Sequence, residues 1–355
     1  MNLHVFNNTN HKFSETFFDF IESNFCKNNH FFVIIGDYSK NNFKLRDNLI
    51  ILNSERVVDN KRKLLELLYK AQKIFIHNFS FQMWVNLVFI SHTQVIKKCY
   101  WIIWGGDLYY YKFRKKSLKS DIYEIFRKIF IKNVNSIISL VGGDYELARE
   151  WYDTKAKYYH SFYPNPVDYR YLDKIRSNEI NKDEVYIQIG NSADPSNKHI
   201  EIFEFLSKFK DEKIKIFCPL SYGDNKYAIE TSKVGKNIFG DKFIPMFNLL
   251  GTKEYGEFLN SIDIAIFNHD RQQGLGNILS LLYLEKKVYI KNDITPWKYF
   301  TDLKISIFNT YEIKEDSFES LKKIEYQKKH QNYEIIKKEF SEEKCIECWK
   351  KIFDS

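Results

Sequence analysis

Short apolar runs alternate with longer amphipathic stretches along nearly the whole chain, and this alternation constrains the fold more than any other feature. The runs at 2–6, 31–35, 49–52, 73–77, 99–103, 136–140 and 157–161 have the length and the β-branched and aromatic content of buried strands. Between them, 13–26, 59–70, 80–91, 120–131 and 144–152 repeat apolar residues at helical spacing. The second half continues in the same way. Strands are expected at 185–190, 214–218, 242–246, 262–267, 287–291 and 304–308. Helices are expected near 197–209, 224–236, 252–260, 274–285 and 315–323, with a long one at 330–352. Alternating β and α predicts parallel sheets with helices on both faces, so the chain is read as α/β, built from Rossmann-like doubly wound domains. In such folds ligands sit at the carboxyl ends of the strands.

A chain of 355 residues has room for two domains of this kind. All six prolines lie at or after position 164, and Tyr163-Pro164-Asn165-Pro166-Val167-Asp168 reads as an extended connector. The expected division is therefore 1–164, 165–329 and a terminal helix at 330–355. Charge divides at the same place. Residues 1–165 carry 24 Lys and Arg against 15 Asp and Glu, and the remainder 30 against 31. The N-terminal segment lacks the basic and apolar regions of a secretion signal, and no apolar run is long enough to span a bilayer. Five scattered cysteines fit a reducing compartment, so a cytoplasmic location is expected; Cys345 and Cys348 read as two helix cysteines rather than a redox or zinc pair.

Glycine is scarce, 13 in all, and it collects at strand exits. Gly190 follows 185–189 and opens the polar block Asn191-Ser192-Ala193-Asp194-Pro195-Ser196-Asn197-Lys198. Exposed N–H groups at a helix start, with Lys198 beside them, suit a phosphate; an ordinary capped helix is the simpler account. The block Asn268 to Asn277 repeats this logic with Arg271, Gln272, Gln273, Gly274, Gly276 and Asn277: a strand ends, an arginine is presented, and Gly-x-Gly opens a helix. Two such loops in one domain predict a nucleotide diphosphate held between them. Neither loop matches a P-loop or a dinucleotide fingerprint. Tyr222, after the strand at 214–218, is a candidate for stacking on the base or sugar.

In the first half, Trp104-Gly105-Gly106-Asp107-Leu108-Tyr109 ends a strand with an acid just past two glycines. That pattern puts Asp107 at a cleft rim as a base or hydroxyl ligand, or makes it a turn residue. His77 ends another strand and is either a general base or structural, and His11 lies in the loop after the first strand. Residues 112–132 are strongly basic, with Lys112, Arg114, Lys115, Lys116 and Lys119 at their start. Ile122, Ile125, Phe126, Ile129 and Phe130 fall on one helical face there. This is either a helix packed on its own sheet or a surface for anionic lipid. No nucleic-acid-reading motif accompanies it, so no nucleic-acid partner is expected.

The blocks Trp104 to Tyr109, Gly190 to His199 and Arg271 to Gly276, with His77 in His-x-x-Phe, resemble the bacterial TDP-4-acetamido-4,6-dideoxygalactose (Fuc4NAc) transferases of enterobacterial common antigen synthesis. The resemblance spans about residues 11 to 285. It implies a GT-B glycosyltransferase, two Rossmann-like domains facing across a cleft, with no metal and no cofactor. The donor would be a dTDP-linked sugar held by Gly190, Asn191, Ser192, Ser196, Asn197, Lys198, Tyr222, Gln272, Gln273, Gly274, Gly276 and Asn277. Arg271 would be catalytic with Asp107 or His77, and His11, Gly105, Gly106 and Tyr109 would lie on the acceptor side. The acceptor would be a polyprenyl-diphosphate-linked saccharide at the inner face of the cytoplasmic membrane, where the basic segment meets anionic lipid and the enzyme is peripheral. The terminal helix would cross back to the first domain. A nucleotide-sugar epimerase or hydrolase on the same fold, or a glycosyltransferase of the same family using another donor sugar, is the alternative. Many GT-B enzymes carry two glutamates eight positions apart around this Gly-x-Gly; here Gln273 and Leu281 stand there.

Overall fold

The computed structural model describes residues 1–7, 11–36, 43–44, 46–52, 57–177 and 182–355. The chain forms two compact units, Met1–Pro164 with Cys345–Ser355, and Asn165–Lys344.

The first unit runs β1 (Asn2–Asn7), α1 (His11–Asn24), β2 (His30–Ile35), β3 (Leu49–Leu52), α2 (Val57–Lys70), β4 (Lys73–His77), α3 (Met83–Ser91), α4 (Thr93–Ile96), β5 (Cys99–Ile102), α5 (Gly106–Phe113), α6 (Leu118–Asn133), β6 (Ser136–Ser139), α7 (Gly142–Tyr152) and β7 (Lys157–His160). All pairings are parallel, in the order β3-β2-β1-β4-β5-β6-β7. Strand alternation gives the sheet two different faces. Leu3, Val5, Val33, Ile74, Ile76 and Trp101 point into an aliphatic core with Leu64, Leu68, Phe89 and Phe130 of the helices. On the other face His4, Phe6, Phe32, Phe75 and His77 meet aromatic residues of α1 and of the last helix, among them Phe17, Trp349 and Phe353.

The second unit continues with α8 (Tyr169–Arg176), β8 (Val185–Ile189), α9 (His199–Leu206), β9 (Ile214–Pro219), α10 (Asn225–Phe239), β10 (Phe243–Met246), α11 (Thr252–Ser261), β11 (Ile264–Phe267), α12 (Leu275–Tyr283), β12 (Lys287–Ile290), α13 (Thr295–Asp302), β13 (Phe308–Asn309), α14 (Phe318–Lys322), α15 (Tyr326–Glu339) and α16 (Glu342–Asp354). Its parallel sheet has the order β10-β9-β8-β11-β12-β13. In both sheets the strand order reverses beside the first strand of the unit, at β1/β4 and at β8/β11. Those switch points are where a doubly wound sheet opens a crevice.

The long helix expected at 330–352 is two helices. Phe340 leaves helical geometry and the Ser341 hydroxyl accepts a hydrogen bond from Lys344 N at 3.1 Å, which starts α16 afresh. From Cys345 onward α16 belongs to the first unit. Trp349 is fully buried and its Nε1 donates to Phe162 O at 2.8 Å; Cys345 Sγ donates to the same carbonyl at 3.2 Å. The carboxyl end of α16 is closed by Lys73, whose ammonium donates to Ile352 O and Phe353 O at 2.9 and 2.8 Å. A cation at that end also suits the helix dipole.

Candidate functional site

The exits of β8 and β11, side by side at the switch point of the second sheet, form one interlocked polar site. Gly190 turns the chain with φ +68°; a Cβ there would lie 2.3 Å from His199 Nε2 and 2.7 Å from Asn197 Oδ1, so the position demands glycine. The loop then folds back on itself. Asn197 Oδ1 accepts from Asn191 N at 3.1 Å and from His269 Nε2 at 2.9 Å, which ties the first loop to the second. Gln273 completes the lacing. Its amide donates to Asn191 Oδ1 and Ser192 Oγ at 3.3 and 3.2 Å, and its Oε1 accepts from Ser196 Oγ at 2.8 Å. Asn191 Nδ2 donates to Tyr222 Oη at 2.8 Å, so the loop after β9 joins them while the Tyr222 ring stays half exposed.

Charge in the site is paired. Arg271 Nη2 lies 3.1 Å from Asp194 Oδ2. Lys291 and Lys198 lie 2.6 and 3.5 Å from the two oxygens of Asp270. Glu201 of α9 joins them: its Oε2 accepts from Asn268 Nδ2 at 2.8 Å and its charge acts on Lys291. Among the described residues of the site, three cations therefore face three carboxylates. Burial pushes the Asp194 carboxyl up, but the Ser196 hydroxyl and Arg271 outweigh it and hold Asp194 below the ordinary range. The two histidines stay neutral: burial pushes His199 and His269 down to about 3. Gly274, in left-handed geometry, precedes the free N–H groups at the start of α12. The half-exposed ammonium of Lys198, a helix amino end and glycine backbone together make a site for an anion. Three buried polar atoms, His199 Nε2, His269 Nδ1 and Gln272 Oε1, have no hydrogen-bond partner in it among the described residues.

Several expected donor residues have other duties. Asn277 Oδ1 accepts from Tyr255 Oη and so braces α12 on α11. Gly276 packs on Pro166, where a Cβ would approach to 3.3 Å. Lys198 is not a residue within a regular helix start. It adopts left-handed geometry at the amino end of α9, after a short 3₁₀ turn capped by Asp194. Leu281, in place of the second glutamate, is core. Lys291 and Asp270 were missed, although Lys291 sits at the exit of β12 and the strand-exit rule applied to glycines would have found it.

The first unit corrects two expectations. Asp107 is not at an exposed rim: it is 3% exposed and its carboxylate is fully engaged. Oδ2 accepts from Phe79 N at 2.9 Å and Trp101 Nε1 at 2.7 Å, and Oδ1 from Trp104 N at 3.0 Å. It is a strut that fixes the exits of β4 and β5 around Gly105, which has φ +88°. His77 is also buried, and both ring nitrogens are occupied. A hydrogen-bonded row runs His30–His4–His77–Tyr163–Trp104, with His4 Nε2 to His30 Nδ1 and His4 Nδ1 to His77 Nε2 both 3.0 Å. Tyr163 Oη meets His77 Nδ1, and Trp104 Nε1 meets Tyr163 Oη at 2.9 Å. An indole can only donate. The tyrosine oxygen therefore accepts from Trp104, and the donor sense of the rest of the row follows the tautomers of the three rings. Burial holds all three rings below their ordinary 6.5, His30 at about 4.

Tyr109, expected on the acceptor side, is buried with its hydroxyl 3.3 Å from Asp144 Oδ1. Gly105 and Gly106 shape the start of α5. The His11 side chain lies outside the described residues. Lys112, Lys115, Lys116 and Lys119 are exposed, whereas Arg114 is drawn to Asp121 at 3.2 Å. None of the described helices is long and apolar enough to cross a membrane.

The model of one protein family, described as 4-alpha-L-fucosyltransferase glycosyl transferase group 56, matches residues 3–352. Among solved structures, a glycosyltransferase from Rickettsia africae ESF-5 superposes with TM-score 0.67 at 12% identity, covering 99% of this chain and 97% of that one. Sucrose-phosphate synthase from Thermosynechococcus elongatus gives 0.69 at 8% identity, covering 100% and 98%. Anabaena Alr3699/HepE, in complex with UDP and glucose, gives 0.69 at 8% identity, covering 99% of each chain. At such identities these structures speak for the fold alone.

Proposed function

Because the chain belongs to glycosyl transferase group 56 and is a glycosyltransferase of the GT-B fold, we propose that it moves a deoxy-acetamido sugar, Fuc4NAc or a close relative, from a dTDP-linked donor. The acceptor in this reading is a polyprenyl-diphosphate-linked saccharide, presented at an anionic membrane surface. The observation that carries the proposal is the pair of laced loops at the β8/β11 switch point, with Arg271, Lys198 and Lys291 gathered beside an open helix amino end.

As the bond from sugar to diphosphate breaks, negative charge grows on the leaving phosphate oxygens. Fixed donors aimed at that charge lower the barrier without having to reorganise. Arg271 supplies a two-pronged donor once it turns from Asp194, and Lys198 and Lys291 add charge that Asp270 alone does not cancel. Gln273 holds the two loops at fixed spacing through Asn191, Ser192 and Ser196. Neutral His199 and His269 add hydrogen-bonding edges without further charge. Asp107 and His77 enter as positioning residues, since neither has an unengaged atom at the surface.

The test is a panel of dTDP-, UDP- and GDP-sugars, each with and without a polyprenyl-diphosphate disaccharide, read by mass spectrometry. The expected result is transfer of a deoxy-acetamido sugar to the lipid from the dTDP donor. Transfer of another sugar would replace the donor assignment, and donor breakdown without acceptor would replace the transfer itself.

A further inference from the structure

α6 turns most of its isoleucine face away from the sheet. Its inward face carries Glu124 and Arg127 with Phe130 and Ile131, all buried. Arg127 is the reason. Its Nε donates to Glu124 Oε2 at 3.1 Å, its two Nη groups donate to Phe79 O and Asp107 O, and its guanidinium lies over the rings of Phe79 and Tyr110. A buried charge with this many partners fixes the rotation of the helix about its axis, because any other roll strands it. The consequence is that Leu118, Ile122, Ile125 and Ile129 face outward, at 79, 40, 58 and 36% exposure. Their spacing of four, three and four residues makes one continuous stripe. Tyr111 and Phe113, on the last turn of α5, are exposed as well.

The stripe has a charged border of one sign. Lys112, Lys115, Lys116 and Lys119 gather at its amino end, all exposed. Among the described residues no carboxylate lies within ion-pair distance of them. The two acids of this stretch are taken, Asp121 by Arg114 and Glu124 by Arg127. A second copy of the chain packed on this face would bring two lysine clusters together. A polyanion without an apolar phase would leave the isoleucines in water.

We propose that this face of α5 and α6 is the membrane-docking surface, with the Leu118–Ile129 stripe entering the headgroup–acyl boundary of an anionic leaflet and the lysines lying among the lipid phosphates. Amphipathic helices with aliphatic and aromatic residues on one side and lysines beside them bind in this way. The inference deepens the functional reading above by giving its membrane partner a contact face, and it rests on that reading.

The experiment is co-sedimentation of the full chain with vesicles containing phosphatidylglycerol, against vesicles of phosphatidylcholine alone, at low and high salt. Wild type is expected on the anionic vesicles and released by salt. Lys115→Gln, Lys116→Gln and Lys119→Gln together should weaken binding about a hundredfold, since each basic residue near an anionic surface is worth roughly a fivefold change. Ile125→Asp should weaken it about tenfold or more, the partition ratio of one isoleucine side chain. Both variants should bind TDP and melt like wild type, because the substituted side chains are exposed. Wild type absent from anionic vesicles, or variants that bind them as wild type does, overturns the proposal. A dimer in solution that Ile125→Asp dissociates overturns it too. The sugar-transfer reading fails separately: vesicle binding with no transfer removes that reading alone, and transfer to detergent-dispersed acceptor without vesicle binding removes the docking face alone.

Discussion

The row His30–His4–His77 should make the first unit acid-labile well above the range where carboxylates titrate. In the unfolded chain each ring takes up a proton below its ordinary 6.5. In the fold, burial is the largest cause holding all three lower, with the neighbouring rings adding repulsion at His4; His30 protonates only near 4. Between those values unfolding binds protons, so stability falls as pH falls. Above about 6.5 the contribution is fully present. Each neutral ring loses about 2 kcal/mol between pH 7.5 and pH 5, so three lose about 6 kcal/mol. That is a large part of the roughly 5–15 kcal/mol typical of a folded domain. Five of the six tryptophans (Trp84, Trp101, Trp104, Trp151 and Trp349) lie in the first unit, so urea unfolding followed by tryptophan fluorescence reports on it. The midpoint should drop by about 2–3 M between pH 7.5 and pH 5, taking about 2–3 kcal/mol per molar urea as the slope. His4→Phe places a ring of similar shape among Phe17, Phe32, Phe75 and Phe353 and removes one titrating group. Its pH dependence should be about one third shallower than wild type. A wild-type midpoint that barely moves to pH 5, or a His4→Phe slope equal to wild type, refutes the neutral-row argument.

Arg271→Ala should lower sugar transfer by about a hundredfold to a thousandfold, as loss of one donor to a developing charge does elsewhere, with an unchanged melting curve; near-normal turnover in a steady-state assay removes Arg271 from the mechanism. Gly190→Ala must place a Cβ 2.3 Å from His199 Nε2 at φ +68°, so we expect a loss of about 2 kcal/mol or more in calorimetry, and a wild-type melting temperature contradicts the close approach. Trp349→Ala, which empties the contact of α16 with Phe17 and Phe75 and removes the indole hydrogen bond to the Phe162 carbonyl, should cost about 3–5 kcal/mol in urea unfolding.

The sheet architecture was readable because strand runs in a parallel sheet are buried on both sides and stand out as near-continuous apolar segments. Gly190 and Gly274 pointed to the loops after β8 and β11 for a physical reason: both have positive φ and closely packed neighbours. What escaped were features decided by partners distant in sequence. α5, α8 and α13 are only eight residues long, too few turns for an apolar stripe to stand out from the connectors on either side. Asp107 looks like a rim acid until the three N–H groups that surround it are in place, and two of them come from a strand exit and an indole it cannot reveal in sequence. The roll of α6 stayed open between core and surface for a related cause. Apolar periodicity alone does not say which way the isoleucine face points, while a single arginine with five contacts sets it.

The membership of Cys345–Ser355 in the first unit has a consequence for biosynthesis. The second unit is an insertion within a discontinuous domain, and the segment that seals the aromatic face of the first sheet emerges from the ribosome after all of Asn165–Lys344. Until then Phe17, Phe75 and the Phe162 carbonyl lack the Trp349 they pack against or bond. The inserted unit can therefore mature while the chain is still being made, whereas the one that precedes it must wait, partly open, for translation to pass residue 344.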